Sequence, residues 1–310
     1  MSFTSIVKNE ISKLESNEME YIAELSAIFR NIGVINNSIK ITTENASVAR
    51  RIFNLVKDIY QINAKVIVRK GYNFSKGYYY ILEIFKQADT ILTDLSIEKS
   101  VDKLSIPKSY ITDDTETKRA YIRGLFMAVG SINDPKKSRY HLEFLVDDKE
   151  YAQFISELLN EFFLNSKILM RDNKYMIYVK EAEKISDFLR IINASSAVLY
   201  FEDIRIYRDH KNMTNRLNNC EQANVDKIIV TATNQVDDIE VIKSIGGFDL
   251  LEDKIKIVAI YRLKYPDASL SELSDIISLE TGNKITKSGL YHRFKKITML
   301  ANKIRNSKTT

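Results

Sequence analysis

The chain has 310 residues, 45% hydrophobic and 28% charged, enough apolar side chains for two or three packed domains and too many for a disordered chain. A single cysteine, Cys220, excludes an internal disulfide and fits a reducing cytoplasm. The start, MSFTSIVKNEISKLES, has the pattern of an amphipathic helix and not of a signal peptide, and no apolar run reaches the length of a membrane span. The net charge is +5, unevenly placed. Residues 1 to 210 hold 30 basic and 29 acidic side chains, whereas 284 to 308 hold eight basic and none acidic. A cationic C-terminal segment points to a polyanion partner, with nucleic acid foremost.

In chain order, Phe3, Ile6, Val7, Ile11 and Leu14 recur at helical spacing and predict a helix over 3–16. YIAELSAIFRNI follows at 21–32, with Ala23 and Ala27 four apart, and Gly33 is read as a helix stop. SIKITT at 38–43 alternates as a strand, and SVARRIFNLVKDIYQI at 47–62 carries one apolar stripe. AKVIVRK and GYYYILEIF read as a hairpin around GYNFSK, and ADTILTDLSI as a short helix. Pro107 and ITDDTETK mark a boundary, giving expected halves of 1–105 and 106–210.

The second half repeats this order. A helix over 117–129 places Gly124 and Ala128 four apart in YIRGLFMAVGSIND, and NDPKKS turns. RYHLEFLVDD is a strand, KEYAQFISELLNEFFL a helix, and SKILMRD with KYMIYVK a hairpin around Asp172-Asn173. EAEKISDFLRII closes the half. Each half therefore reads helix, strand, helix, strand, strand, helix, a repeat that neither half would establish alone. Small residues four apart on both first helices let two backbones approach, so the halves are expected to meet along them.

The remaining stretch, 211–310, is all helical in pattern. One or two helices run to Gly246-Gly247, and LEDKIKIVAIYRLKY makes another before Pro266. ASLSELSDIISLETG opens with Ser269 and Glu272, a capping box, and ends at Gly282. After Asn283, Lys284 and Ile285, Thr286 or Ser288 can cap the next helix, KSGLYHRFKKITMLANKI. Leu290, Phe294, Ile297, Ala301 and Ile304 share one face of it; Lys287, Ser288, Tyr291, His292 and Lys295 lie opposite. This is a helix-turn-helix pattern. Its second helix would read base edges in a major groove while cations hold phosphates. Base contacts are assigned to Lys287, Ser288, Tyr291 and His292, and backbone contacts to Lys284, Arg293, Lys295 and Lys296, with Thr286 at the helix start.

The helices at 21 and 121 resemble the LAGLIDADG motif helices of homing endonucleases. Together with NRLNNCEQANVDK at 215–227, SLSELSD and KSGLYHRFKKI, the chain resembles the WhiA family of bacterial transcription regulators over nearly its whole length. The resemblance implies an α+β fold, a duplicated α-β-β-α-β-β-α domain followed by an all-α helix-turn-helix domain. It implies a cytoplasmic, nucleoid-associated regulator of sporulation or cell division, bound to double-stranded DNA and working with other transcription proteins. A metal-dependent homing-type endonuclease or intron-splicing cofactor is the alternative.

The chemistry weighs against that alternative. A LAGLIDADG nuclease needs a carboxylate near the end of each motif helix to hold a divalent ion. The aligned residues are Val129 and, in the first copy, Phe29 or Ile28. Glu24 is more than a turn away and Asp134 precedes Pro135, a turn position. His141, His210 and His292 are dispersed, no phosphate-cradling glycine motif occurs, and neither a metal nor a cofactor is expected. Cys220 is read as a small buried residue. Lys65, Arg69, Lys70 and Lys76, with Lys136, Lys137 and Arg139 as their expected counterparts, form basic clusters in the duplicated domain.

Overall fold

The computed structural model describes residues 1–35, 38–71, 77–98, 106–137 and 139–307. Most of the GYNFSK loop with Lys76, the junction at 105, Ser138 and Lys308 lie outside the described residues. The chain divides into two compact units, Met1–Arg208 and Asp209–Thr310.

The first unit is built twice. Its first half runs α1 (Phe3–Ile11), α2 (Glu18–Ile32), β1 (Gly33–Ile35), β2 (Ile39–Thr43), α3 (Ala46–Tyr60), β3 (Lys65–Lys70), β4 (Tyr78–Ile84) and α4 (Ala88–Asp94). The second runs α5 (Thr115–Val129), β5 (Gly130–Ile132), β6 (Leu142–Val146), α6 (Lys149–Glu161), β7 (Lys167–Arg171), β8 (Lys174–Val179) and α7 (Ala182–Ile191). Both sheets are antiparallel with the same order, β1-β2-β4-β3 and β5-β6-β8-β7. Residues α2 to α4 and α5 to α7 thus each spell α-β-β-α-β-β-α, one strand more per half than the pattern alone showed. The missed strands β1 and β5 have three residues each, too few to display alternation. The glycines before them are not left-handed stops. Gly33 (φ −82°, ψ 131°) and Gly130 (φ −75°, ψ 143°) are extended and open the strands.

Close packing of α2 on α5 follows from Gly124. A Cβ there would overlap the carbonyl oxygen of Glu24 and lie 3.0 Å from its Cα. Ala23 and Ala27 are buried at the same contact, while Ala128 is only half-buried. Around it one apolar core collects Leu25, Ile28, Phe29, Leu125, Phe126 and the inner faces of both sheets. The Asp172-Asn173 hairpin forms as read, with both residues at positive φ (51° and 62°), matching the twist of the flanking strands. Two boundaries differ. α1 stops at Ile11, and α5 starts at Thr115, two residues earlier than expected, where Asp114 and Thr117 form a capping box.

From the first unit a single helix, α8 (Ser195–Ser244, 50 residues), continues into the second. No glycine or proline interrupts it. Residues 211–227 are exposed throughout, so Cys220 is an exposed thiol, not a buried small residue. The second unit adds α9 (Asp253–Lys264), α10 (Leu270–Thr281) and α11 (Lys287–Ser307) around its own core.

Candidate nucleic-acid interface

The frame of the site is set by local chemistry. Ser269 Oγ accepts from the Glu272 N–H (3.2 Å), and Glu272 Oε2 accepts from the Ser269 N–H (2.7 Å), so α10 starts where the capping box places it. Gly282 ends it at φ +69°. Ser278 then fixes the turn: its hydroxyl donates to Ser274 O (2.7 Å) and accepts from the Ile285 N–H (3.0 Å). Thr286, not Ser288, caps α11, accepting from the Gly289 N–H at 3.1 Å.

Leu290, Phe294, Ile297 and Ala301 are buried against Leu273, Ile277 and Val258, and Ile304 packs at their edge. That burial turns the other side of α11 outward. Lys284, Thr286, Lys287, Ser288, Tyr291, His292, Lys295 and Lys296 are exposed, and Arg293 is half-buried. At 100° per residue, Ser288, His292 and Lys295 point most directly away from the core. Lys287 and Tyr291 lie on one flank of this row and Arg293 on the other. Tyr291 packs edge-on to His292 (5.7 Å between ring centres) and borders a shallow depression with Asn234, Leu270 and Thr298. Lys296 sits 3.7 Å from Glu252, an exposed pair, so its charge is only weakly held back from a phosphate. Met299 and Lys303, absent from the sequence-based site, extend the outward row by two turns.

Two buried polar residues aim α11, and the sequence reading passed over both. Arg262 is 1% exposed. Its Nε donates to Gln235 Oε1 (3.0 Å) and its Nη1 to the carbonyls of Tyr265, Pro266 and Ala268 (3.2, 3.2 and 2.6 Å), with the guanidinium 5.5 Å from the Phe294 ring. Burial lowers its pKa from the ordinary arginine value. Asp238 is 5% exposed and takes hydrogen bonds from Thr298 Oγ1 (2.6 Å) and Arg305 Nη1 (2.7 Å). The signal for Arg262 was periodic: it continues the Ile255, Val258, Ala259 stripe. Lys264 and Tyr265 bind the Glu280 carboxylate at 2.9 Å each. The Lys264 contact holds that carboxyl below the usual range.

In the first unit, the ends of the motif helices do not fit a metal. α2 and α5 are both 15 residues long and both end at the glycine that opens a strand. This makes Ile32 the counterpart of Val129, correcting the Phe29 or Ile28 alignment; hydrocarbon side chains at both positions offer no ligand atom. The neighbouring polar groups are otherwise engaged. Tyr121 and Tyr151 share a hydrogen bond (2.7 Å), Asn31 donates to Tyr151 (2.9 Å), and burial pushes both phenols up, keeping them neutral. Glu24 is fully buried and bound by Arg51 and by Arg123 Nε (2.8 Å). Asp134 accepts from the Lys136 N–H (2.9 Å) and Tyr200 (3.3 Å), as a turn residue does. Among the described residues no cluster of three His, Cys, Asp or Glu could hold an ion.

Lys65, Arg69 and Lys70 are exposed on β3. Lys136, Lys137 and Arg139 are also exposed but lie between β5 and β6. The strand order makes β7 the counterpart of β3, so the matching cations are Lys167 and Arg171.

A duplicated α-β-β-α-β-β-α scaffold without acids at its motif-helix ends, joined to a helix-turn-helix unit, defines a LAGLIDADG-like protein with a DNA-binding module. Family descriptions match nearly all of it: WhiA N-terminal LAGLIDADG-like domain over 18–98, WhiA LAGLIDADG-like domain over 118–211, and WhiA C-terminal HTH domain over 214–301. The chain belongs to the WhiA family. It is 44% identical to proteins named probable cell division protein WhiA from Bacillus cytotoxicus and Bacillus anthracis, covering 100% of this chain and 99% of theirs. It is also similar to the crystal structure of full-length DUF199/WhiA from Thermatoga maritima, with a TM-score of 0.59 and 25% identity over 98% of this chain and 99% of that one. No helix among the described residues is long and apolar enough to cross a membrane.

Proposed function

We propose that this chain is a sequence-specific DNA-binding regulator of transcription serving cell division or sporulation, without nuclease activity. The reading rests on one observation above all: the outward face of α11 is exposed and cationic, with no acid from 284 to 307, on a helix held in place by buried Arg262 and Asp238. Lys287, Ser288, Tyr291 and His292 contact base edges; Lys284, Arg293, Lys295 and Lys296 contact phosphates, with Thr286 at the groove entrance. The protein works in the cytoplasm at the nucleoid, alongside other transcription proteins. Cell division enters through the names of its relatives. Absence of nuclease activity is supported by Ile32 and Val129 at the motif-helix ends.

Gel-shift titration tests this reading with a duplex selected by the protein from a random pool. Lys287→Glu with Lys295→Glu should abolish binding while leaving the melting temperature unchanged. Four phosphate contacts predict a log affinity against log salt slope of about −3.5. Unchanged affinity in the double variant would remove α11 from the interface. Plasmid nicking in Mg²⁺ or Mn²⁺ that survives purification would restore the endonuclease reading.

A further inference from the structure

One edge strand of each sheet carries the same five-residue pattern. β3 begins Lys65-Val66-Ile67-Val68-Arg69, and β7 reads Lys167-Ile168-Leu169-Met170-Arg171. Each is the last strand of its sheet, paired on one side only among the described residues. All five β7 residues are exposed, with Leu169 50% and Met170 62% accessible, and on β3 only Ile67 is partly covered. Alternation puts Lys167, Leu169 and Arg171 on one face and Ile168 and Met170 on the other. An open edge with this much apolar surface is a template for another strand.

The charges decide which strand. Antiparallel pairing of two β7 edges centred on Leu169 sets each Lys167 opposite Arg171 of the second copy. Parallel in-register pairing sets Lys167 beside Lys167 and Arg171 beside Arg171. A β3 edge on a β7 edge likewise brings cations together. Like charges directly opposite destabilise a sheet pair and opposite charges stabilise it. Self-association through these edges is therefore disfavoured. A strand with two acids four residues apart and three apolar residues between them satisfies both the ends and the middle. Duplex DNA would use the cations but leave Leu169 and Met170 unmatched.

We propose that β7, and β3 by the same pattern, docks an extended acidic segment of a partner protein by strand addition. Backbone N–H and C=O groups of the edge pair with the segment, Lys167 and Arg171 hold its two carboxylates, and Ile168, Leu169 and Met170 pack against its apolar centre.

The probe is a fluorescent peptide with the core Glu-Val-Leu-Val-Glu, titrated against the full chain by anisotropy. It should bind at least tenfold more tightly than the Lys-Val-Leu-Val-Lys counterpart, and N-methylation of its central amides should abolish binding. Lys167→Glu with Arg171→Glu, both exposed and outside the core, should reverse the preference once Lys65→Glu and Arg69→Glu reverse the second edge with it. No binding up to millimolar peptide, indifference to N-methylation, or failure of the preference to reverse would overturn the proposal. So would loss of duplex affinity in Lys167→Glu/Arg171→Glu, which would assign the edge to phosphate contact. Duplex binding through α11 is read separately with Lys287→Glu/Lys295→Glu, so either conclusion can fail without the other.

Discussion

The α2–α5 pair and the α10–α11 pair both join two helices, by opposite means. In α2–α5 two charged side chains bond across the contact, Glu24 and Arg123 at 0% and 1% exposure, and Gly124 lets the backbones touch. In α10–α11 apolar residues form the contact, and the polar ones on the first turns of α11 face out. Charges paired across the α2–α5 contact are withheld from any ligand. A pair held by hydrocarbon leaves its cations available.

This contrast is breakable, beginning with the largest effect. Glu24→Ala removes the carboxylate that buried Arg51 and Arg123 share, leaving Arg123 the Glu20 carboxylate at 3.6 Å, and should cost about 3–5 kcal/mol; calorimetry of the full chain checks it. Below the transition, duplex affinity should be unchanged, because no part of α11 is touched. Gly124→Val forces the α2 and α5 backbones apart and should cost about 3 kcal/mol in the same measurement. A smaller loss than that of an ordinary surface substitution would show that the helices can separate cheaply.

Lys8 sharpens the comparison from the other direction. It lies over the Phe126 ring, and burial pushes its ammonium down to about 8 from 10.5, against an opposing pull from Glu44. The unfolded chain then holds a proton that the fold gives up between pH 8 and 10.5. The destabilisation is complete below about pH 8 and is relieved as pH rises through that window. Lys8→Met should raise stability at pH 7 by about 1–2 kcal/mol, with the gain gone by pH 10.5. A pH-independent gain would mean that Lys8 stays charged in the fold. Least costly is Ser269→Ala, which removes one side of the α10 capping box and should lower stability by about 1 kcal/mol. Denaturant titration of the second unit's transition measures it.

What was legible in the sequence follows the range of the chemistry. The α10 capping box, the stop at Gly282 and the apolar face of α11 involve residues three to eight apart, and the structure reproduces each. The Asp172-Asn173 turn is equally local. Strands β1 and β5 were not legible, because three residues cannot alternate visibly. The motif-helix register slipped by three or four residues for a related reason: small residues alone do not mark a helix end, and the glycines do so only once they are seen opening strands. Continuity of α8 was written in fifty residues free of glycine and proline, but the pattern left one or two helices open before Gly246-Gly247.

By itself, then, the sequence determined a repeated α and β order, small residues where two helices must touch, a capped helix-turn-helix and an acid-free cationic helix. These are consequences of side-chain size, capping and periodicity, which act within a few residues. Tertiary structure alone decided that Glu24 meets Arg123 across 99 residues, that Arg262 is buried and braces the loop before α10, and that both motif helices end at a strand-opening glycine, which makes Ile32 the counterpart of Val129. It also decided that β7, not the 136–139 turn, is the counterpart of β3. Such pairings depend on which surfaces the fold closes over. A charge buried without a partner costs several kcal/mol, so closure sets which partners meet.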